Sequence, residues 1–390
     1  MAPPKIYHDP TIPALRPKDL TLFLISQFAV DNPVLIHGAP GVGKTGLINS
    51  LTSHRLTKIW QQLSGESSSL TLWKNLPPMS AIGAVDLHGI PFCREDADSG
   101  VLFQRWARSE LLPHSPDPDG NRILLFLDDL TAAPTIIQPA LYELVQFGRV
   151  GKFQLPPGTI RIGAGNRQAD RAAVNPLSTA LKGRFSHIEF TCHHEDWTEV
   201  AFSLNIIPEI IAWINNSPES LLQPDPQHTA TPSPRTWEKA SNSIRSMRRV
   251  LRAANVEKSN PRYKALMLTA IASAVGLSEA TRFVEYLELY GQIPSISQIK
   301  ADPETAQIPT NKGGQILVAT MVAMAVKPPT TNTLKADPEN EALLHYLTRL
   351  PNELASMAFY GICSRHEEIL VTSPTLGDWA LKNSHIWQAY

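Results

Sequence analysis

The sequence predicts an α/β fold, with a parallel sheet in the first half of the chain and helices in the second. Short apolar runs alternate with helical segments between residues 34 and 191, which is the pattern of a parallel sheet. The first of these runs ends in a glycine-rich loop, as buried parallel strands often do. After about residue 195 the strands stop and patterns with a helical period follow one another.

The first half is predicted to contain five strands and three helices. The apolar run from Leu20 to Val30 predicts a short helix, and residues 86–120 show no regular pattern. The glycine loop is followed by a helical segment, and so is the apolar run that ends in two aspartates. The predicted strands are 34–38, 70–75, 123–127, 159–166 and 187–191, and the two further helices are 43–51 and 135–147.

The second half opens with residues 208–234, whose six prolines predict a linker. Ser233 and Pro234 then begin a helix, as N-cap and first helical residue. Further helices are predicted over 261–275, 278–290, 313–326 and 339–360. We therefore expect an α/β nucleotide-binding domain over residues 1–200, a helical lid over 201–292 and a helical C-terminal extension over 293–390.

Composition excludes several classes of protein. The chain has 390 residues, a net charge of −1 and 43% apolar residues, so a disordered chain and a strongly basic nucleic-acid binder are disfavoured. No apolar run reaches about 18 residues, and the N-terminus shows no secretory pattern. Cys93, Cys192 and Cys363 are far apart and odd in number, which predicts a cytoplasmic protein without a disulfide framework.

The glycine loop fits the phosphate-binding pattern G-x-x-x-x-G-K-[ST] at every fixed position. Glycines let the backbone turn its N–H groups toward phosphate oxygens. Lys44 is predicted to contact the β- and γ-phosphates of ATP, and Thr45 to offer its hydroxyl to Mg²⁺. The predicted nucleotide-binding residues are Gly38, Ala39, Pro40, Gly41, Val42, Gly43, Lys44, Thr45 and Gly46.

Three polar residues stand at the carboxyl ends of two of the other predicted strands. Asp128 and Asp129 end the run LLFLDD, and Asn166 ends TIRIGAGN. Open parallel sheets bind ligands at the carboxyl ends of their strands. Asp128 is therefore predicted to hold Mg²⁺, Asp129 to polarise the attacking water and Asn166 to orient that water. The alternative for each is an ordinary polar turn residue.

Two arginines complete the set of candidate site residues. Arg184 stands in a turn before the last predicted strand, and Arg235 in the first turn of the helix after the linker. An arginine can stabilise charge on a γ-phosphate, including one bound to a neighbouring subunit. A cation in the first turn of a helix opposes the helix dipole, which favours a ligand role for Arg235. The alternative for both is a solvated surface side chain.

Taken in order, these motifs resemble the AAA+ ATPases, specifically the MoxR-like group of the helix-2-insert clade. The similarity covers about residues 15–255 and is greatest in ALYELVQFGRVGKFQLPPGTIRIGAGNR. It implies a P-loop NTPase (AAA+) core followed by an α-helical lid, with ATP and Mg²⁺ bound at the interfaces of a ring, usually a hexamer. It further implies that Asn166 is sensor 1, Arg184 the arginine finger acting in trans and Arg235 sensor 2.

The resemblance has one departure and one consequence for partners. The family usually has Asp-Glu where this chain has Asp128-Asp129, so the shorter Asp129 is expected to slow hydrolysis. In the family an insert faces the ring pore or a partner, which implies a remodelling role for the segment VLFQRWARSELLP; the alternative is a hairpin packed on its own domain. The implied function is chaperone-like remodelling of a partner protein, such as a von Willebrand factor A domain protein.

Three alternatives stay open at the level of sequence. Residues 235–264 carry nine Lys and Arg against two acids, so a motor subunit of a nucleic-acid-processing or defence complex is the second hypothesis. A nucleotide-dependent scaffold that does not hydrolyse ATP is the third, because of Asp129. The consecutive residues Cys192–Asp196 resemble a metal site by composition, but neighbours in sequence cannot all converge on one ion.

Overall fold

The computed structural model describes residues 9–95, 98–167, 170, 175–225, 227–290, 293–329 and 336–384. Two compact units divide the chain: the first ends at Thr191 and the second begins at Cys192. The first unit is built on a parallel sheet and the second is helical. The fold class predicted from the sequence is therefore confirmed.

The first unit contains a six-stranded sheet in which every pair of neighbours is parallel. The strands of the chain are numbered β1 to β10 in sequence order. Those of the six-stranded sheet are β1 (Ala14–Leu15), β2 (Val34–His37), β3 (Leu70–Leu72), β6 (Arg122–Leu127), β9 (Ile160–Gly165) and β10 (Ser186–Phe190). The remaining strands form two antiparallel hairpins, β4 (Ile90–Glu95) with β5 (Leu102–Ala107) and β7 (Arg149–Val150) with β8 (Phe153–Gln154).

Across the sheet the order is β1-β10-β2-β9-β6-β3. The glycine loop therefore leaves a strand that has a neighbour on each side, and β6 lies next to β9. Because all the strands run the same way, the carboxyl ends of β2, β6 and β9 lie at one edge. Central strand residues such as Leu35, Leu125 and Ile162 are fully buried, which explains why these runs are mainly apolar.

Helices cover this unit: α1 (Pro17–Phe28), α2 (Lys44–Ser50), α3 (His54–Ser64), α4 (Ala84–His88), α5 (Gln138–Phe147) and α6 (Thr179–Lys182). All five predicted strands are present, and no bound is shifted by more than three residues. The predicted helix 135–147 begins as a 3₁₀ turn, Thr135–Ile137, before α5. Residues 86–120 were expected to be irregular, with a hairpin packed on its own domain as the alternative for VLFQRWARSELLP. β4 and β5 do form a hairpin, and its residues are exposed along both strands, so no alternation marks a buried face.

The second unit consists of α7 (His194–Ser203), α8 (Pro208–Asn216), α9 (Pro234–Ala253), α10 (Pro261–Val275), α11 (Leu277–Tyr290), α12 (Ile296–Ala301), α13 (Lys312–Ala325), α14 (Pro338–Thr348), α15 (Asn352–Arg365), α16 (Ile369–Thr372) and α17 (Pro374–Lys382). One hydrophobic core runs from Trp197 to Trp379. The division of this region at residue 292 into a lid and an extension stays a prediction.

Two expectations for the second unit were wrong. Residues 208–216 form α8, whose Ile210, Ile211 and Ile214 are fully buried, so the proposed linker begins after a core helix. Pro208 is the first residue of that helix, where a missing N–H costs nothing. The helix predicted over 339–360 is two helices, α14 and α15, because Pro351 cannot continue a helix.

Candidate nucleotide site

The glycine loop between β2 and α2 has the backbone conformation that its glycines predict. Gly41 and Gly43 have backbone φ angles of 76° and 105°. Residues other than glycine rarely adopt such positive φ angles. A Cβ on Gly43 would meet no atom within 4 Å. The requirement for glycine at this position is therefore conformational rather than one of space.

Lys44 stands at the start of α2 with its ammonium group inside the loop. Its Nζ donates hydrogen bonds to the carbonyl oxygens of Gly38 (2.7 Å) and Ala39 (3.1 Å), and to Oδ1 of Asn166 (3.0 Å). The side chain is buried, and this burial lowers the pKa of Lys44 to about 8, against the opposing attraction of Asp128. These hydrogen bonds hold the Lys44 ammonium group inside the glycine loop.

Thr45 and Asp128 lie together, as the sequence predicts for a magnesium site. The Thr45 hydroxyl donates to Oδ2 of Asp128 over 2.9 Å, although 83 residues separate the two. A hydroxyl and a carboxylate oxygen are ligands that Mg²⁺ accepts. The donor set at this edge of the sheet therefore fits Mg²⁺, with Thr45 and Asp128 as the residues that would hold it.

Asp129 follows in a left-handed backbone conformation, with φ 51°. Its N–H donates to Oδ1 of Asp128 over 2.9 Å. In the part of the chain that the structure describes, the Asp129 carboxylate has no hydrogen-bond partner. Aspartate tolerates this conformation better than most residues, and strained backbone of this kind is concentrated at functional sites. The carboxylate is consequently available to a water molecule.

Asn166 is held by Thr131, a residue that sequence reasoning missed. The N–H of Asn166 donates to Oγ1 of Thr131 over 2.9 Å, while its side chain accepts from Lys44. Gly165 makes this contact possible, because a Cβ there would lie 2.3 Å from Cγ2 of Thr131. The glycine of the sequence G-N was the only available signal.

Arg167 belongs to a buried charged cluster behind Asn166. Its guanidinium makes ion pairs with Asp170 (2.8 Å) and Glu189 (2.8 Å), and all three side chains are buried. Charge pairs of this kind persist in protein interiors only when their geometry is satisfied. The Arg167 guanidinium is thus paired with carboxylates of its own unit. No pattern in the sequence predicted this cluster.

Arg184 lies at the opposite end of the sheet from the glycine loop. Ser186 pairs with Val34 at the beginning of β2, whereas Gly38 follows the end of that strand. At about 3.3 Å per residue, this places Ser186, two residues after Arg184, roughly 13 Å from the level of Gly38. Its guanidinium stacks on Tyr142 and donates to the tyrosine hydroxyl over 2.9 Å.

Arg235 is an exposed residue in the first turn of α9. The helix begins as predicted: the hydroxyl of Ser233 accepts from the N–H of Thr236 over 3.2 Å. Arg235 belongs to the second compact unit, and its role as sensor 2 stays a prediction.

Elsewhere, among the residues that the structure describes, no group of three His, Cys, Asp or Glu side chains is arranged to hold a metal ion. No described helix is long and apolar enough to span a bilayer.

Comparison with known proteins adds little beyond the fold. No protein-family model matches the chain, and no curated protein matches its sequence. Similar solved structures include a variant of RuvB from Thermotoga maritima, with 16% identity, a TM-score of 0.31, and 70% of this chain and 68% of that chain covered. Another is a candidate ATPase from Cytophaga hutchinsonii, with 16% identity, a TM-score of 0.30, and 59% of this chain and 58% of that one covered.

Proposed function

We propose that this chain is an AAA+ ATPase of the MoxR-like type, which forms rings, hydrolyses ATP between subunits and remodels a partner protein. One observation carries the nucleotide assignment. Three strand ends converge, so that Lys44 contacts Asn166 and Thr45 contacts Asp128. A lysine inside a glycine loop, next to a hydroxyl–carboxylate pair, is the chemistry that recognises a magnesium-bound triphosphate.

Each residue has a role in this proposal. The N–H groups of the loop and Lys44 bind the β- and γ-phosphates, and Thr45 and Asp128 hold Mg²⁺. When bound, Mg²⁺ neutralises phosphate charge. Asp129 polarises the attacking water, and Asn166 orients it. Asn166 gives up its hydrogen bond to Lys44 when the lysine turns to the phosphates, which frees Oδ1 to accept from that water.

The position of Arg184 supports the ring. An arginine at the opposite end of the sheet from its own glycine loop does not face a phosphate bound there, but it can face one bound to a neighbouring copy. Tyr142 holds the guanidinium in place before such a neighbour arrives. A hexamer, usual in the resembling family, is the assembly that we propose.

Remodelling is assigned to the hairpin of β4 and β5. All twelve of its strand residues are exposed, including Phe92, Phe103 and Trp106. Exposed aromatic clusters of this kind usually mark contacts with other proteins. The partner that we propose is a client protein, with a von Willebrand factor A domain protein as the first to test.

The decisive experiment compares two substitutions at the end of β6. Asp129→Asn should bind Mg-ATP and lose about 10²–10⁴-fold in turnover, the range for a missing general base. Asp128→Asn should instead weaken the dependence of ATP binding on Mg²⁺. Calorimetry and a phosphate-release assay measure the two effects.

Asp119→Asn, a change in an exposed loop, is the matched control and should behave as the parent. Parental turnover in Asp129→Asn would remove Asp129 from the mechanism. A parent that binds Mg-ATP but never releases phosphate would leave the alternative of a nucleotide-dependent scaffold.

A further inference from the structure

Charge in the helical unit is strongly segregated. Residues 235–264 contain nine Lys and Arg against two acids, whereas the other residues from 192 onward contain eight Lys and Arg against eighteen acids. A segment of 30 residues therefore carries a net charge of +7 in surroundings of net charge −10. Positive charges gathered in this way repel one another and attract a polyanion.

The structure places these charges on the hairpin of α9 and α10. α9 buries Trp237, Ala240 and Ile244, and a loop of seven residues joins it to α10, which packs against it. In the second half of α9, Arg248 pairs with Glu209 over 2.8 Å, and Arg245 donates to the carbonyl oxygen of Asn205. These two arginines are used within the unit.

Four other cations remain at the end of the hairpin. This basic tip consists of Arg249 and Arg252 in the last turns of α9, Lys258 in the loop and Arg262 in the first turn of α10. All four are exposed, and none makes an ion pair with another described residue. Arg252 is well placed for the dipole of α9, but Arg262 opposes the dipole of α10. The fold alone does not account for this arrangement.

The chemistry of the tip favours nucleic acid over an acidic protein. Among the large hydrophobic side chains of the described hairpin, only Val250 is exposed. Protein interfaces have apolar and aromatic centres and are depleted in lysine, whereas interfaces with nucleic acid are polar and strongly positive. Asn255, Ser259 and Asn260 add exposed polar groups beside the cations.

We propose that the basic tip binds the phosphodiester backbone of a nucleic acid, without reading its sequence. Four exposed cations can each pair with a phosphate group, and phosphate contacts position a protein without specifying bases. The described tip has no exposed aromatic side chain on which bases would stack, because Tyr263 is half-buried. This inference is independent of ATP hydrolysis and of ring formation.

The test measures binding of the full chain, without nucleotide, to a fluorescent 30-base-pair DNA duplex and to its single strand. Four phosphate contacts should give an affinity that falls about 100-fold between 50 and 200 mM salt. The triple substitution of Arg249, Arg252 and Arg262 by Glu should weaken binding at least 30-fold and flatten the salt dependence. The control replaces three exposed lysines elsewhere, Lys58, Lys152 and Lys382, by Glu and should change affinity less than threefold.

Because both triple variants change the net charge equally, equal losses would overturn the proposal, as would unchanged binding by the basic-tip variant. Poly-L-glutamate at the same charge concentration should compete weakly; displacement of the DNA as effectively as by unlabelled DNA would assign the surface to an acidic protein instead. If circular dichroism shows that the Glu variant is unfolded, the same three residues are replaced by Gln. The absence of salt-dependent binding by the parent would also refute the proposal.

Discussion

At the scale of single residues, Lys44 connects the glycine loop with the end of β9. Its Nζ donates to the carbonyl oxygens of Gly38 and Ala39 and to Oδ1 of Asn166. Burial favours the neutral amine, whereas the attraction of Asp128, with smaller contributions from Asp170 and Asp129, favours the ammonium. The balance leaves the pKa of Lys44 at about 8. Phosphates bound in the loop would add negative charge at close range and raise this pKa again.

Proton uptake on nucleotide binding is therefore expected above pH 8. At pH 9 most of the free protein carries neutral Lys44, so ATP binding should take up about one proton per site. ATP affinity should correspondingly fall as the pH rises through about 8. Calorimetry in two buffers of different ionisation enthalpy measures the uptake.

Lys44→Ala should lose both tight ATP binding and the proton uptake, whereas Lys152→Ala, a change at an exposed position, should keep both. Binding at pH 9 without proton uptake by the parent would show that Lys44 is already charged in the free protein.

The sequence predicted the residues that belong to a local motif and missed those that depend on tertiary contacts. Lys44 and Thr45 stand at fixed positions of the loop, and the acidic pair follows an apolar run. Thr131 lies 35 residues from Asn166, and Glu189 lies 22 residues from Arg167. No spacing rule connects such partners, because only the strand order brings them together.

At the scale of elements, β9 shows how packing positions a functional side chain. Its last residue, Gly165, lies against Thr131, and Thr131 in turn holds the backbone of Asn166. The two expectations that failed, a linker over 208–234 and a single helix over 339–360, both involved proline. Proline is compatible with the first turn of a helix but ends one in its interior, and the sequence pattern alone does not tell these positions apart.

Gly165→Ala should consequently impair both stability and turnover. The added methyl group would lie 2.3 Å from Cγ2 of Thr131, so the strand end must move, at a cost of about 1–3 kcal/mol in the free energy of unfolding. Asn166 would move with it and orient water less well. Urea titration and a phosphate-release assay measure the two losses.

Adding Thr131→Ser to Gly165→Ala removes Cγ2 of Thr131, the atom nearest to the new methyl group. The double variant should therefore recover part of the lost stability. Gly377→Ala in α17, where the new methyl group meets no atom within 4 Å, is the control and should stabilise by up to about 1 kcal/mol. If Gly165→Ala is as stable as the parent, the end of β9 can shift to accommodate the methyl group without destabilising the fold, which would contradict this prediction.

At the scale of the whole molecule, the parallel sheet separates the two ends of the proposed chemistry. Lys44, Thr45, Asp128 and Asn166 lie at the carboxyl ends of the strands, and Arg184 lies before the amino end of β10. In the proposed function, a single chain therefore presents half of a site at each edge of its sheet. If copies associate head to tail, each edge completes the other, and isolated subunits should bind ATP but hydrolyse it slowly.

This arrangement makes a prediction about mixtures of inactive variants. Arg184→Ala should bind ATP nearly normally and hydrolyse little, since an arginine finger contributes about 10³–10⁵-fold in other P-loop enzymes. Lys44→Ala should neither bind nor hydrolyse. In a random 1:1 mixture, roughly a quarter of the interfaces would combine an intact Lys44 from one variant with an intact Arg184 from the other. Phosphate release should recover to about that fraction of the parental rate. Mixed rings seen by native mass spectrometry without recovered activity would show that Arg184 does not act across the interface, and full activity of Arg184→Ala alone would make it an ordinary surface residue.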